Sequence, residues 1–121
     1  MFINFTNHPS ALWSEAQIRT AEQYGEILDI PFPSVPAEAG EREIERMAEK
    51  YAEQLTATKP NAVLCQGEMT LTYAVVKKLT ERNITVLAAC SERCIEEQKI
   101  GDSTKKTVVF NFIRFRKYEA E

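Results

Sequence analysis

The chain has 121 residues, 44% of them apolar and 27% charged, with a net charge of −3. That length suits a single domain over residues 1–121 with one core, and the slight acidity excludes a basic glove for long nucleic acid, leaving only a local contact or a small ligand. No stretch approaches the roughly 20 apolar residues that span a bilayer, so no membrane contact is expected.

The first residues are apolar but lack a basic region and run straight into Asn7-His8-Pro9, which is not the pattern of a signal peptide. Cys65, Cys90 and Cys94 are an odd number without CxxC spacing, which argues against a disulfide framework or structural zinc and for a reducing cytoplasm.

Residues 2–6 read as a first strand, closed by the turn composition Asn7-His8-Pro9-Ser10. Ser14-Glu15-Ala16-Gln17 has the S-x-x-Q form of a capping box, with Trp13 placed as a hydrophobic staple. The helix it opens runs to Tyr24 and stops at Gly25. Residues 26–30 form a second strand, and the proline-rich run from Pro31 to Pro36 an extended loop.

Ile44, Met47, Ala48, Tyr51, Ala52 and Leu55 then recur on one face of a helix, the clearest periodic signal in the chain. Residues 62–65 are apolar throughout and predict a strand buried on both faces. The turn Gln66-Gly67-Glu68 leads to Thr70 as helix cap and a helical run over residues 71–82, with Asn83 as its stop.

Residues 84–89 predict a fourth strand ending at Cys90-Ser91-Glu92-Arg93. Residues 95–100 read as strand or frayed helix. Gly101 to Thr104 form a turn, and residues 107–118 a terminal hairpin antiparallel to the sheet.

Strand, helix, strand, helix, strand, helix, strand implies an α/β fold, a parallel sheet with right-handed crossovers. The expected order is 2-1-3-4, with the C-terminal antiparallel strand on an edge. Ligands of such sheets bind beyond the carboxyl ends of the strands, where the order reverses. The turns after strands one, three and four then share one edge.

His8, the single histidine, can serve there as general acid or base. Gln66-Gly67-Glu68-Met69-Thr70 combines a strand end, a glycine and a helix N-terminus, a geometry suited to anions. It lacks the Walker lysine and the three glycines of a dinucleotide fingerprint. Glu68 would repel a bare phosphate and favours a ribose hydroxyl or base edge.

Arg93 is the cation of these turns and the natural phosphate partner, beside Ser91. The run Cys90-Ser91-Glu92-Arg93 is too short for a phosphatase Cys-x5-Arg loop. The spacing of His8, Asp29, Cys65 and Glu68 matches no metal motif, so neither metal nor other cofactor is expected. Trp13 could stack on a base. Arg114, Arg116 and Lys117 read as charge protecting an edge strand.

Taken together, Phe5-Thr6-Asn7-His8-Pro9-Ser10 with Trp13 and Gln17, Cys65-Gln66-Gly67-Glu68 with Thr70, and Ala89-Cys90-Ser91-Glu92-Arg93 resemble the small stand-alone CRISPR-associated proteins of Rossmann-like, CARF-type fold. The resemblance covers residues 1–95. It implies a homodimer that binds cyclic oligoadenylate, the second messenger of type III CRISPR antiviral defence, and a ring nuclease that cuts it without a metal. A non-cleaving sensor or sponge of the same fold is the alternative. Carried over by position, His8, Arg93 and Ser91 are the catalytic residues, and Asn7, Ser10, Gln66, Gly67, Glu68 and Thr70 hold the ligand.

Overall fold

The computed structural model describes residues 1–120. The strands are β1 (Phe2–Phe5), β2 (Ile27–Asp29), β3 (Ala62–Cys65), β4 (Val86–Ile100) and β5 (Ser103–Lys117). The α-helices are α1 (Glu15–Glu22), α2 (Glu41–Ala57) and α3 (Met69–Glu81), and a short 3-10 turn, Ser10–Leu12, precedes α1. The sheet order is β2-β1-β3-β4-β5. The pairs β2–β1, β1–β3 and β3–β4 are parallel, and β5 runs antiparallel to β4. This is the expected order, with the tail strand on the edge.

β1 and β3 are central, and every residue of both is buried. Ile3, Phe5, Val63 and Cys65 pack under α2 and α3 with Ala48, Ala52, Leu55, Val75 and Leu79. Phe2, Ala62 and Leu64 point to the opposite face and meet Trp13, Ala21, Leu87 and Phe115. The pleat sends alternate side chains to opposite sides, so both phases of these strands must be apolar. The two faces are covered unequally. Two long helices shield one, while the eight-residue α1 serves the other and leaves Ala89 and Phe112 only half-buried near β5.

The end signals at Ser14, Asn83 and Gly25 act as the chemistry predicts. Ser14 Oγ accepts from the Gln17 N–H at 3.2 Å. Asn83 ends α3 at φ 60°. Gly25, at φ +136°, follows α1 where a Cβ would lie 3.0 Å from the Met1 nitrogen.

Two boundaries differ from the sequence reading. Helix α3 begins at Met69, and its N-cap is Glu68 rather than Thr70. The second difference is larger. Ser91, Glu92 and Arg93 are not a turn, because β4 continues through them to Ile100, and residues 107–118 are not a hairpin of their own but part of the single strand β5 that pairs with it.

β5 supplies an unbroken antiparallel partner for that continuation, from Arg116 opposite Ala88 to Ser103 opposite Ile100. The register steps between Cys90 and Ser91, where Ile113 is the extra residue of a β-bulge. Beyond the bulge the hairpin leaves the sheet as a two-stranded arm, about 33 Å long for ten residues at the usual strand rise. Neither face of the arm is covered, so charged residues occur on both and the hydrophobic alternation that marks an ordinary strand is lost.

Candidate functional site: a crevice at the strand ends

A cavity of about 770 Å³ opens at the carboxyl ends of β1 and β3 and beside the first half of β4, on the α1 side of the sheet. Asn7 and His8 line it from the turn after β1, Gln66 from the turn after β3, and Ala89 and Ser91 from β4. Trp13 and Gln17 contribute from the start of α1, and Phe110 and Phe112 from β5. Its place follows from topology: α1 and α2 leave β1 and β2 for opposite faces, so the chain parts between β1 and β3. Among the described residues no Lys, Arg, Asp or Glu lines the crevice. Recognition there must come from neutral hydrogen-bonding groups, one imidazole and aromatic rings.

The turn carrying His8 is held from beneath by a buried residue of β1. Asn4 donates from Nδ2 to the His8 carbonyl and to Asp29 Oδ1, both at 3.0 Å. Its Oδ1 accepts from Thr6 Oγ1 at 2.7 Å. The same His8 carbonyl accepts from Trp13 Nε1 at 3.0 Å. Asp29 Oδ2 accepts from the backbone N–H and hydroxyl of Ser10 at 3.2 and 3.0 Å. The main chain of residues 7–10 is thereby tied to both β1 and β2, while the His8 side chain stays exposed. Ser10 spends its hydrogen bonds on Asp29 and lies outside the crevice lining.

Gln66 has a comparable structural duty. Its Oε1 accepts from the Ala89 N–H at 2.9 Å, tying the end of β3 to β4. Its amide NH2 makes no hydrogen bond among the described residues and remains for a ligand. Gly67 has a packing reason to lack a side chain, since a Cβ there would lie 2.4 Å from the ring of Phe32.

Glu68 folds its carboxylate over the N-terminus of α3. Oε1 accepts from the Thr70 and Leu71 N–H groups at 2.6 and 3.0 Å, and the Thr70 hydroxyl also donates to it. That hydroxyl, and then the Leu71 N–H, hold the carboxyl below its ordinary range. The helix end already carries an anion, and an incoming phosphate would have to displace it. Thr70 faces a second cavity, of about 550 Å³, between α2 and α3, with Ile44, Tyr73 and Lys77. Lys78, also at that cavity, is committed to ion pairs with Glu45 and Glu49.

Ser91 lines the crevice from β4, and Arg93 lies two residues farther along the arm, opposite Phe110. The strand's period of two puts Ser91 and Arg93 on one face, and Cys90, next to Ser91, on the other. Arg93 stands at the outer margin, beyond the lining residues. Cys65 is buried at the end of β3, and burial pushes its thiol up to about 12, which makes it a poor nucleophile near neutral pH.

The crevice therefore gathers Asn7, His8, Gln66 and Ser91. Ser10, Gly67, Glu68 and Thr70 hold the surrounding turns, and Arg93 sits on the arm. Sequence reasoning did not single out Asn4 or Asp29 as the supports of the His8 turn. An asparagine inside a run otherwise filled by Phe and Ile was the available signal for Asn4. It also read Gln17 as part of a capping box. Ser14 does cap the Gln17 N–H, but the Gln17 side chain does not reach back and instead lines the crevice.

Among the described residues no three His, Cys, Asp or Glu side chains gather as a metal would need, and no helix is long and apolar enough to cross a membrane. Comparison with curated proteins and with solved structures returns no match. A family model matches residues 1–116, a span that takes in the crevice and the whole arm. The chain belongs to that family, described as the Uncharacterized protein MJ1673 family.

Proposed function

We propose that the chain is a CARF-type, Rossmann-like protein of CRISPR antiviral defence. In this reading it works in the cytoplasm as a homodimeric, metal-independent ring nuclease on cyclic oligoadenylate, with cyclic tetra-adenylate as the first ring to try. The observation that carries the reading is the convergence on one crevice of His8 and Gln66, from the ends of β1 and β3, with Ser91 from within β4. A nucleotide offers that crevice a base for its rings, a ribose for its amides and a phosphate for its margin.

In the proposed reaction a ribose 2′-OH attacks the adjacent phosphorus in line. The new P–O2′ bond forms as the P–O5′ bond breaks, giving a 2′,3′-cyclic phosphate and a free 5′-OH. The proton lost from the 2′-OH is balanced by one delivered to the leaving 5′ oxygen, and no water is consumed. The His8 imidazole supplies the leaving-group proton. Asn7 and Gln66 orient the ribose, and Ser91 and Arg93 meet the developing phosphate charge.

The dimer part of the reading is supported by the arm. Ile95, Val108 and Phe110, which share its crevice-side face, are 56%, 45% and 68% exposed. A lone two-stranded ribbon is at best marginal in water. A second copy laid on that face would bury the stripe and bring a second Arg93 to a two-fold ring ligand.

The second reading is binding without cleavage, favoured by the absence, among the described residues, of any formally charged side chain from the crevice lining. Labelled cyclic tetra-adenylate incubated with the protein and EDTA separates the two. Linear product with a cyclic phosphate end is expected, and His8→Ala and Arg93→Ala should each slow its formation without unfolding the protein. Retention of intact ring supports the sensor. Failure to bind rings of any size overturns both.

A further inference from the structure

On the crevice-side face of the arm, charge follows a fixed order outward from the sheet. Along β4 the period of two gives Arg93, Ile95, Glu97 and Lys99 in turn, all exposed. The register sets Phe110, Val108 and Lys106 beside the first three. Among the described residues Arg93 makes no ion pair, and Glu97 has only a loose one, to Lys106 at 3.7 Å. The apolar step of Ile95 and Val108 therefore has an unpaired cation on its inner side and an exposed carboxylate on its outer side. A ribbon uncovered on both faces is at best marginal in water. The order of charges on this face is that of a self-complementary surface. A two-fold axis through the Ile95–Val108 step reverses the sequence of residues, so each Arg93 comes opposite the Glu97 of the other copy.

We propose that two copies of the chain pair through this face of their arms, antiparallel and centred on Ile95, and that each arm brings Lys99 to the crevice of the other copy. This rests on the dimer part of the reading above and not on its nucleotide. In this register Ile95 and Val108 pack on their own counterparts, and the Arg93–Glu97 contact forms twice. The stem of Lys106 lies along the partner's Phe110, with its ammonium over the ring. Other registers are worse. Moving the centre inward by one residue sets Arg93 on the partner's Ile95, and moving it outward by one sets Arg93 against the partner's Lys99. Centring on Arg93 opposes the two guanidinium groups. The axis that pairs residues 93 and 97 also pairs 91 and 99. The partner's Lys99 then comes level with Ser91, a crevice residue, and supplies a cation where the crevice lining has none among the described residues.

Arg93→Glu and Glu97→Arg are made separately in the full chain, and mass is read by light scattering at low salt, where exposed charges are least screened. The wild type is expected to be a dimer. Each variant opposes like charges twice across the axis and should fall to about half the wild-type mass with its circular dichroism unchanged. An equimolar mixture of the two variants should return to the dimer mass, because both contacts then join opposite charges, and native mass spectrometry should find one chain of each kind. A monomeric wild type, variants that stay dimeric, or a mixture that stays monomeric overturns the pairing. In the dimer, a benzophenone side chain placed at position 99 should photo-crosslink to residues 89–93 of the other copy, and crosslinks elsewhere overturn the placing of Lys99 at the crevice. If the mixture restores the dimer and no ring is bound or cut, the nucleotide reading falls and the arm pairing stands.

Discussion

Asn4 Nδ2 lies 3.0 Å from the main-chain carbonyl of His8, so a fully enclosed residue of β1 fixes the turn that presents the site's imidazole. Three hydrogen bonds at one buried amide make this a supporting post rather than a ligand contact. Asn4→Leu removes the amide and leaves the His8 carbonyl, Asp29 and Thr6 short of a partner. A loss of about 1–3 kcal/mol is expected, the usual cost of stranding buried polar groups. Urea unfolding measures it, and a stability unchanged within error would show that the network contributes nothing.

Gly67 and Phe32 form the next test. A Cβ on residue 67 would stand 2.4 Å from a ring that is itself 3% exposed and packed on Phe5. Gly67→Ala should destabilise by about 1–3 kcal/mol through overpacking. Phe32→Leu in the same chain should recover part of that loss, because the two sites share one contact. Strictly additive effects in the double mutant would contradict the packing account.

The Glu68 cap predicts an acid-side effect. The Thr70 hydroxyl and the Leu71 N–H hold its folded-state pKa below the ordinary value. A depressed carboxyl contributes stability that is fully present above its unfolded pKa and is lost as pH falls through the folded value. Glu68→Gln should therefore lower the melting temperature at neutral pH and flatten its decline on acidification. Thermal scans between pH 3 and 7 compare the two chains, and parallel curves would remove Glu68 from the pH response.

The three cysteines should separate by reactivity. Cys65 is buried and its thiol is pushed up to about 12, whereas Cys90 and Cys94 are half-buried. A thiol-labelling time course on the native protein should modify Cys90 and Cys94 first and leave Cys65 until denaturant is added. Early labelling of Cys65, located by peptide mass mapping, would indicate that β3 opens readily.

For the arm, Phe110→Asp puts a charge in the middle of the exposed stripe. If a second copy covers that face, light scattering should show the mass halved relative to the wild type, with the circular dichroism of the sheet body retained. An unchanged mass would locate any self-association elsewhere on the protein.

Much of the architecture was legible in the residues themselves. The i, i+3, i+4 recurrence from Ile44 to Leu55, the uninterrupted apolar run at residues 62–65 and the Ser14 cap each follow from local geometry. So does the parallel order, because alternating strands and helices with right-handed crossovers leave few arrangements. Asn7, His8 and Gln66 could be named as neighbours on that basis, since they follow the ends of β1 and β3, whereas Ser91 was placed beside them by a strand end that β4 does not have.

What the sequence could not decide depends on partners distant along the chain. β4 outruns its apolar residues because β5 pairs with it to Ile100, and an arm open on both faces needs no hydrophobic alternation to mark it. Glu68 rather than Thr70 caps α3 because its carboxylate reaches the Thr70 and Leu71 N–H groups, and Gly67 is a glycine because Phe32 arrives from a loop some thirty residues away. Gln17 reads locally as a capping residue. Only packing α1 onto the sheet turns its side chain to the crevice lining. Local propensity set the elements, and long-range packing decided which of their polar groups face the crevice.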